Sequence, residues 1–173
     1  GPGKPGHKAR KFGEYVCDLP PTMGAVILDH LKATHKLDFL VVTGDMPGHD
    51  VWAQSKQKNL NSISYFANLL KTHLKELRVI PCMGNHDTFP IDQYREGYMA
   101  WDLDPIASFW EPWLTAEEST RFKKHGYYST QVGWGLKVIA LNTLFGLTDN
   151  LWLWMNSSSA DFGGQLAWLK QEL

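Results

Sequence analysis

The sequence predicts an α/β domain built around a parallel strand–helix–strand unit, and three observations carry that reading. Two short apolar runs rich in β-branched residues, Asp38-Phe39-Leu40-Val41-Val42-Thr43 and Leu77-Arg78-Val79-Ile80-Pro81-Cys82, lead into Gly44 and Gly84. Runs of this kind bounded by glycine are the pattern of strands buried on both faces. Between them Leu60, Ile63, Ala67, Leu70, Leu74 and Leu77 recur in alternating steps of three and four, which lines up one apolar helix face. A crossover of that length joins two strands in parallel, in the right-handed sense.

The remaining elements follow in chain order. Gly1-Pro2-Gly3-Lys4-Pro5-Gly6 opens a flexible leader over 1–11. Met23, Val26, Ile27 and Leu31 fall at helical spacing, so a helix is expected over about 22–36. After the central unit, Tyr98, Trp101, Phe109 and Trp110 suggest a helical stretch over about 92–112. Gly126–Val132 and Leu136–Asn142 read as two strands turning at Gly133-Trp134-Gly135, and Gln165 to Leu173 begins a final helix. No repeat or composition break divides 12–173, which reads as one domain.

Composition narrows the function classes. At 173 residues roughly 70% of the unfolded chain's surface can be buried, so the fold does not depend on a disulfide framework. Net charge is −1, which leaves neither a nucleic acid nor an acidic membrane gripped by bulk charge, and no nucleic-acid binding is expected. Cys17 and Cys82 have no CxxC or Cys/His spacing, so a zinc finger is excluded. Eight tryptophans stand out. Among them, Leu151-Trp152-Leu153-Trp154-Met155 suits a transient membrane-surface contact, although packing against the sheet is the simpler reading.

The chemistry lies where the two strands end. Gly44-Asp45 and Gly84-Asn85-His86 would stand about 5 Å apart if the strands are neighbours, at the edge where open α/β sheets bind ligands. A glycine before each ligand-type residue permits a tight turn and close backbone approach. Gly-Asp alone is a common turn dipeptide; the pair followed by histidine is more specific. His49, four residues after Asp45, sits in a Pro/Gly loop over the same edge, where an imidazole can protonate a leaving alkoxide. His30, His35, His73 and His125 fall in or beside helices and strands, with surface roles as the default.

Gly44-Asp45-Met46-Pro47-Gly48-His49-Asp50-Val51-Trp52 together with Gly84-Asn85-His86-Asp87 resembles the core of the calcineurin-like metallophosphoesterases, and within them the acid sphingomyelinase group. Phe12 to Pro20, Trp110-Glu111-Pro112-Trp113-Leu114, Gly126-Tyr127-Tyr128-Ser129 and Leu141-Asn142 extend the likeness in order. The resemblance implies a sandwich of two β-sheets flanked by helices, here its N-terminal and central part. It implies two zinc ions, with Asp45 as the bridging carboxylate and Asn85 as a ligand of one zinc. His49 and His86 match histidines that contact the phosphate and help the leaving group depart. Asn142 resembles a position near the site, with no role assigned. The implied reaction is attack of a metal-activated hydroxide on a phosphodiester. The implied substrate is a lipid, sphingomyelin cleaved to ceramide and phosphocholine. A nucleotide-type phosphodiesterase and a non-catalytic binding protein of the same fold are the alternatives.

The family's Asp-x-His, Gly-His-x-Pro and Gly-His-x-His motifs are not found in residues 1–173, and Cys17 matches a position paired with an upstream cysteine. A partial catalytic domain over 12–173, inactive without its flanking segments, is therefore expected. Family membership further implies a secreted or lysosomal protein, in keeping with the glycosylation sequon Asn156-Ser157-Ser158.

Overall fold

A computed structural model describes residues 10–11, 13–15, 17–133, 135–155 and 159–173. Most of the leader, Trp134 in the expected turn and the sequon at 156–158 lie outside the described residues.

Helix α1 spans Pro21–Thr34, with proline in its first turn where a missing N–H costs nothing. Strand β1 is Phe39–Val42, helix α2 Lys56–His73 and strand β2 Arg78–Pro81. Strands β1 and β2 pair in parallel with Phe39 opposite Arg78 and Val42 opposite Pro81. The central unit is therefore the one the sequence predicts. Ser55 caps α2 by accepting from the Lys58 N–H at 3.3 Å, and the helix buries Asn59, Ile63, Ala67 and Leu70. Leu74 and Leu77 continue the apolar spacing but lie past the helix, in the turn that feeds β2. Helix α1 crosses α2 closely at Gly24, where an added Cβ would meet Leu69 Cδ2 at 2.7 Å.

The expectation of strands buried on both faces holds for β2 and not for β1. Val79 and Ile80 are buried, whereas Val41 is 46% exposed. Among the described residues β1 has β2 as its only strand neighbour, which leaves its other edge without a strand.

The predicted helix over 92–112 is shorter. Asp92 and Gly97 adopt left-handed backbone, at φ +66° and +76°, which holds 91–99 in turns, and α3 forms over Ala100–Phe109. It buries Leu103, Ile106 and Ala107 beside α2, and Trp110, Trp113 and Leu114 close the core after it. Helix α4, Ala116–His125, is not foreseen by the apolar pattern because it buries a single side chain, Phe122. Its ends were nonetheless written in polar residues. Thr115 and Glu118 form a reciprocal capping box, and Gly126 terminates the helix at φ +74°.

Strands β3, Tyr128–Gly133, and β4, Leu136–Ala140, make the expected antiparallel hairpin. Gly126 caps α4, Tyr127 links it to β3, and Leu141 and Asn142 follow the end of β4. Two bonds tie this hairpin to the parallel pair: Tyr128 Oη to the Pro81 carbonyl and Arg78 Nη2 to Thr130 Oγ1, both 2.7 Å. Leu151–Met155 form a short helix, α5, and Gln165–Glu172 the last, α6. None of the helices among the described residues is long and apolar enough to cross a membrane.

Candidate active site

The loops after β1 and β2 meet back to back, and glycine is required on both sides of the contact. Gly44 adopts φ +86°, and a Cβ there would meet Asp87 Oδ2 at 2.6 Å. A Cβ on Gly84 would run into Asp45, with Cγ and N both at 2.7 Å. Asp45 itself sits at φ +62°, a conformation that aspartate tolerates better than most residues and that often marks a functional site.

Asp87 holds the two loops together. Its Oδ2 accepts from the N–H groups of Gly84 (2.8 Å) and Asp45 (2.9 Å), and its Oδ1 from that of Met46 (3.0 Å). The side chain is buried, which pushes its pKa up to about 6 against the lowering effect of those three N–H donors. Asn59 on α2 secures the next stretch, donating through Nδ2 to the carbonyls of His86 and Thr88 at 3.1 and 2.8 Å.

Onto this frame the structure brings together all four of the residues singled out in the sequence. Asp45 Oδ1 accepts from the His86 N–H at 3.0 Å. Asn85 donates through Nδ2 to Asp92 Oδ1 at 2.7 Å, so Oδ1 is the atom it would offer to a cation. The His49 and His86 rings meet edge to face, centroids 4.4 Å apart. His86 is buried, with Nδ1 lacking a hydrogen-bond partner, while the His49 side chain is 63% exposed. Asp18 Oδ1 lies 2.6 Å from His49 Nδ1, and its Oδ2 accepts the His49 backbone N–H at 2.8 Å.

Asp18, Asn59, Asp87 and Asp92 were not singled out by sequence reasoning. Asp87 stood inside the quoted Gly84–Asp87 motif, but its role as a clamp depends on loops far apart in the chain. Asn142 makes its hydrogen bonds with other residues. Its backbone pairs with the Gln165 side chain, at 2.7 and 3.2 Å, and Oδ1 accepts from the Leu144 N–H. It joins β4 to α6. Of the remaining histidines, His30 and His35 are exposed, His73 pairs with Asp29 at 2.6 Å and His125 with Glu96 at 2.5 Å. Cys17 and Cys82 are not bonded to each other; burial, aided by the charge of Asp87, raises the pKa of Cys82.

Two clefts of about 610 and 540 Å³ lie elsewhere, one beside β3 and α4 and the other between Tyr94 and α5. Neither is lined by Asp45, Asn85, His86 or His49, so the strand-end cluster is identified by its chemistry and not by concavity. Trp152 in α5 is half-buried under Arg95, whereas Trp154 is 70% exposed, donating through Nε1 to the Thr148 carbonyl. Packing against a sheet therefore does not account for Trp154.

Parallel strand ends thus carry Gly-Asp and Gly-Asn-His, braced by the buried carboxylate of Asp87. The match to the calcineurin-like phosphoesterase family extends over residues 25–171, and the chain belongs to that family. It is 39% identical over 137 residues to sphingomyelin phosphodiesterase A of Dictyostelium discoideum, covering 79% of this chain and 24% of that protein. It is 35% identical over 169 residues to the sphingomyelin phosphodiesterase of Homo sapiens, covering 94% and 26%. It is 32% identical over 173 residues to the cyclic GMP-AMP phosphodiesterase SMPDL3A of Bos taurus, covering 94% and 36%. The resemblance read from the motifs is borne out, and the chain spans about a quarter to a third of the length of these relatives.

Family membership implies divalent metal ions, and the donors present fit part of such a centre. Asp45 offers a carboxylate and Asn85 an amide oxygen on adjacent strand ends, and Gly84 leaves the space that the Asp45 carboxylate fills. Among the described residues no group of three His, Cys, Asp or Glu side chains is placed to hold an ion. Two oxygen donors are a partial set.

Proposed function

We propose that the complete protein hydrolyses a phosphodiester at the ends of β1 and β2, and that its substrate is sphingomyelin, cleaved with water to ceramide and phosphocholine. The observation that carries this reading is the meeting of His49 and His86, 4.4 Å apart, directly beside Asp45 and Asn85. The names of the relatives at 39% and 35% identity support the substrate. Asp45 and Asn85 would hold the metal, for which we propose two zinc ions with further donors from outside residues 1–173. Such ions, when bound, supply positive charge to the phosphoryl oxygens.

The chain's own residues divide the remaining work. His49, the solvent-exposed member of the pair, delivers a proton to the departing alkoxide as the phosphorus–oxygen bond breaks. His86, buried and fixed through its N–H to Asp45, contacts the phosphate. Asp87 keeps both loops in register. A lipid substrate is further supported by α5, where Leu151, Trp154 and Met155 are 64%, 70% and 78% exposed. These side chains suit a transient contact with a membrane surface. A secreted or lysosomal location is supported by the sequon at 156–158.

The 32% identity to a cyclic GMP-AMP phosphodiesterase favours a nucleotide diester as the second reading. Assaying the complete protein on sphingomyelin vesicles and on cyclic GMP-AMP separates the two. Phosphocholine release that disappears in Asp45→Asn supports the proposal. Hydrolysis of cyclic GMP-AMP alone transfers the site to the nucleotide reading, and hydrolysis of neither sinks both.

A further inference from the structure

Asp18 lies 31 residues before His49 and reaches it from the segment that precedes α1. The contact is two-pronged. One carboxylate oxygen takes the backbone N–H and the other faces ring Nδ1, so the same group fixes where the residue sits and how its ring is turned. Two further features close the loop around this contact. Gln54 Nε2 donates to the Gly48 carbonyl at 2.9 Å, tying residues 48 and 54 together. Gly48 leaves room for the carboxylate: a Cβ there would stand 3.0 Å from Asp18 Oδ2. The pKa of Asp18 is held below its ordinary value, chiefly by the His49 N–H, so the group is an anion across the physiological range.

We propose that Asp18 is a positioning residue for the reaction, holding His49 with Nδ1–H toward its carboxylate and Nε2 toward the leaving group. This rests on the assignment of His49 as the proton donor under Proposed function. The physical reason is general. A ring that must give a proton from one nitrogen works best when the other is engaged, because the partner sets the tautomer and the ring plane. A carboxylate in that position also balances the charge of the imidazolium before transfer. After His49 has protonated the leaving alkoxide through Nε2, the neutral ring keeps its proton on Nδ1, facing Asp18. The next proton returns to Nε2 from solvent, which the exposure of His49 permits. Nothing is oxidised or reduced, and Asp18 keeps its charge throughout.

The test uses the complete protein with its metals and two aryl esters of phosphocholine, the nitrophenyl ester with a weakly basic leaving group and the phenyl ester with a more basic one. Asp18→Asn should slow the phenyl ester by roughly 10–100-fold, the usual worth of an orienting partner, and the nitrophenyl ester far less. Asp18→Ala combined with His49→Ala should be no slower than His49→Ala alone, since both changes remove one proton-delivery unit. Nitrogen NMR of the histidines should show His49 as the Nδ1–H tautomer in the parent protein and as a tautomer mixture in Asp18→Ala. Equal slowing of both esters accompanied by a lower melting temperature would reduce Asp18 to a structural clasp. Multiplicative effects in the double variant, or an unchanged tautomer, would equally overturn the proposal. Failure of the parent protein to hydrolyse either ester counts against the phosphodiesterase reading, while the tautomer measurement still decides whether Asp18 orients the ring.

Discussion

Replacing Asp87 tests whether a single carboxylate holds the two site loops together. Its oxygens accept three backbone N–H groups at 2.8, 2.9 and 3.0 Å, from Gly84, Asp45 and Met46. In Asp87→Ala all three donors lose their partner, and each buried unsatisfied donor costs about 1–3 kcal/mol. The gross loss is offset in part because burying the carboxylate is itself unfavourable, as its pKa pushed up to about 6 records. A net destabilisation of about 2–5 kcal/mol is expected. Asp87→Asn is milder. Its amide oxygen can keep the Gly84 and Asp45 bonds, but its NH₂ group then faces the Met46 N–H, donor against donor, at about 1–2 kcal/mol. Urea denaturation of the complete protein measures both. Turnover should fall with the loops, because Asp45 and His86 lose their common frame. An alanine variant within about 0.5 kcal/mol of the parent, the range of an ordinary surface change, would refute the clamp.

Three other outcomes follow from the same geometry. Asp45→Asn should keep the fold, since asparagine tolerates the φ of +62° at this position, yet lower metal content and abolish turnover; normal metal and activity would remove Asp45 from the site. Asp102 is fully buried with neither oxygen hydrogen-bonded, and burial, with the charge of Asp87, raises its pKa from 3.8 to about 8. The native state therefore keeps a proton that the unfolded chain sheds, so stability should fall as pH rises through about 4 to 8, by at most about 1.4 kcal/mol per unit. Asp102→Asn should flatten that slope and raise stability at neutral pH; a slope unchanged in the variant assigns it to other groups. Finally, Trp154→Ala should weaken binding to sphingomyelin vesicles while leaving the melting temperature and soluble-ester hydrolysis intact, because this side chain is 70% exposed. Equal loss on vesicles and soluble ester would show that it supports the fold instead.

Much of the site was legible because its residues are local in sequence and constrained by backbone geometry. Gly44 and Gly84 must be glycine where two loops touch, and each announces the ligand-type residue that follows it. The parallel pair could be read from its β-branched runs and from the length of the helix between them. What stayed hidden was long-range or polar. Asp18 reaches His49 across 31 residues and Asp87 reaches Asp45 across 42, distances at which spacing says nothing about contact. Helix α4 was missed because a search for apolar periodicity overlooks a helix that buries only Phe122, although Thr115, Glu118 and Gly126 mark both of its ends. The extent of α3 was misjudged because aromatic spacing continued through Asp92 and Gly97, whose left-handed backbone breaks the helix. Trp154 looked like core by composition, and only its place on the short helix α5 shows it facing solvent.

The central claim is that the ends of β1 and β2 form the phosphodiesterase centre, and the position of the metal tests it most directly. Anomalous diffraction from crystals of the complete protein, collected at the zinc edge, locates the ions without reference to activity. A peak about 2.0–2.2 Å from a carboxylate oxygen of Asp45, with Asn85 Oδ1 in the coordination shell of the same or a neighbouring ion, is the predicted result. Zinc bound elsewhere, with Asp45 and Asn85 contacting only protein and water, would contradict it.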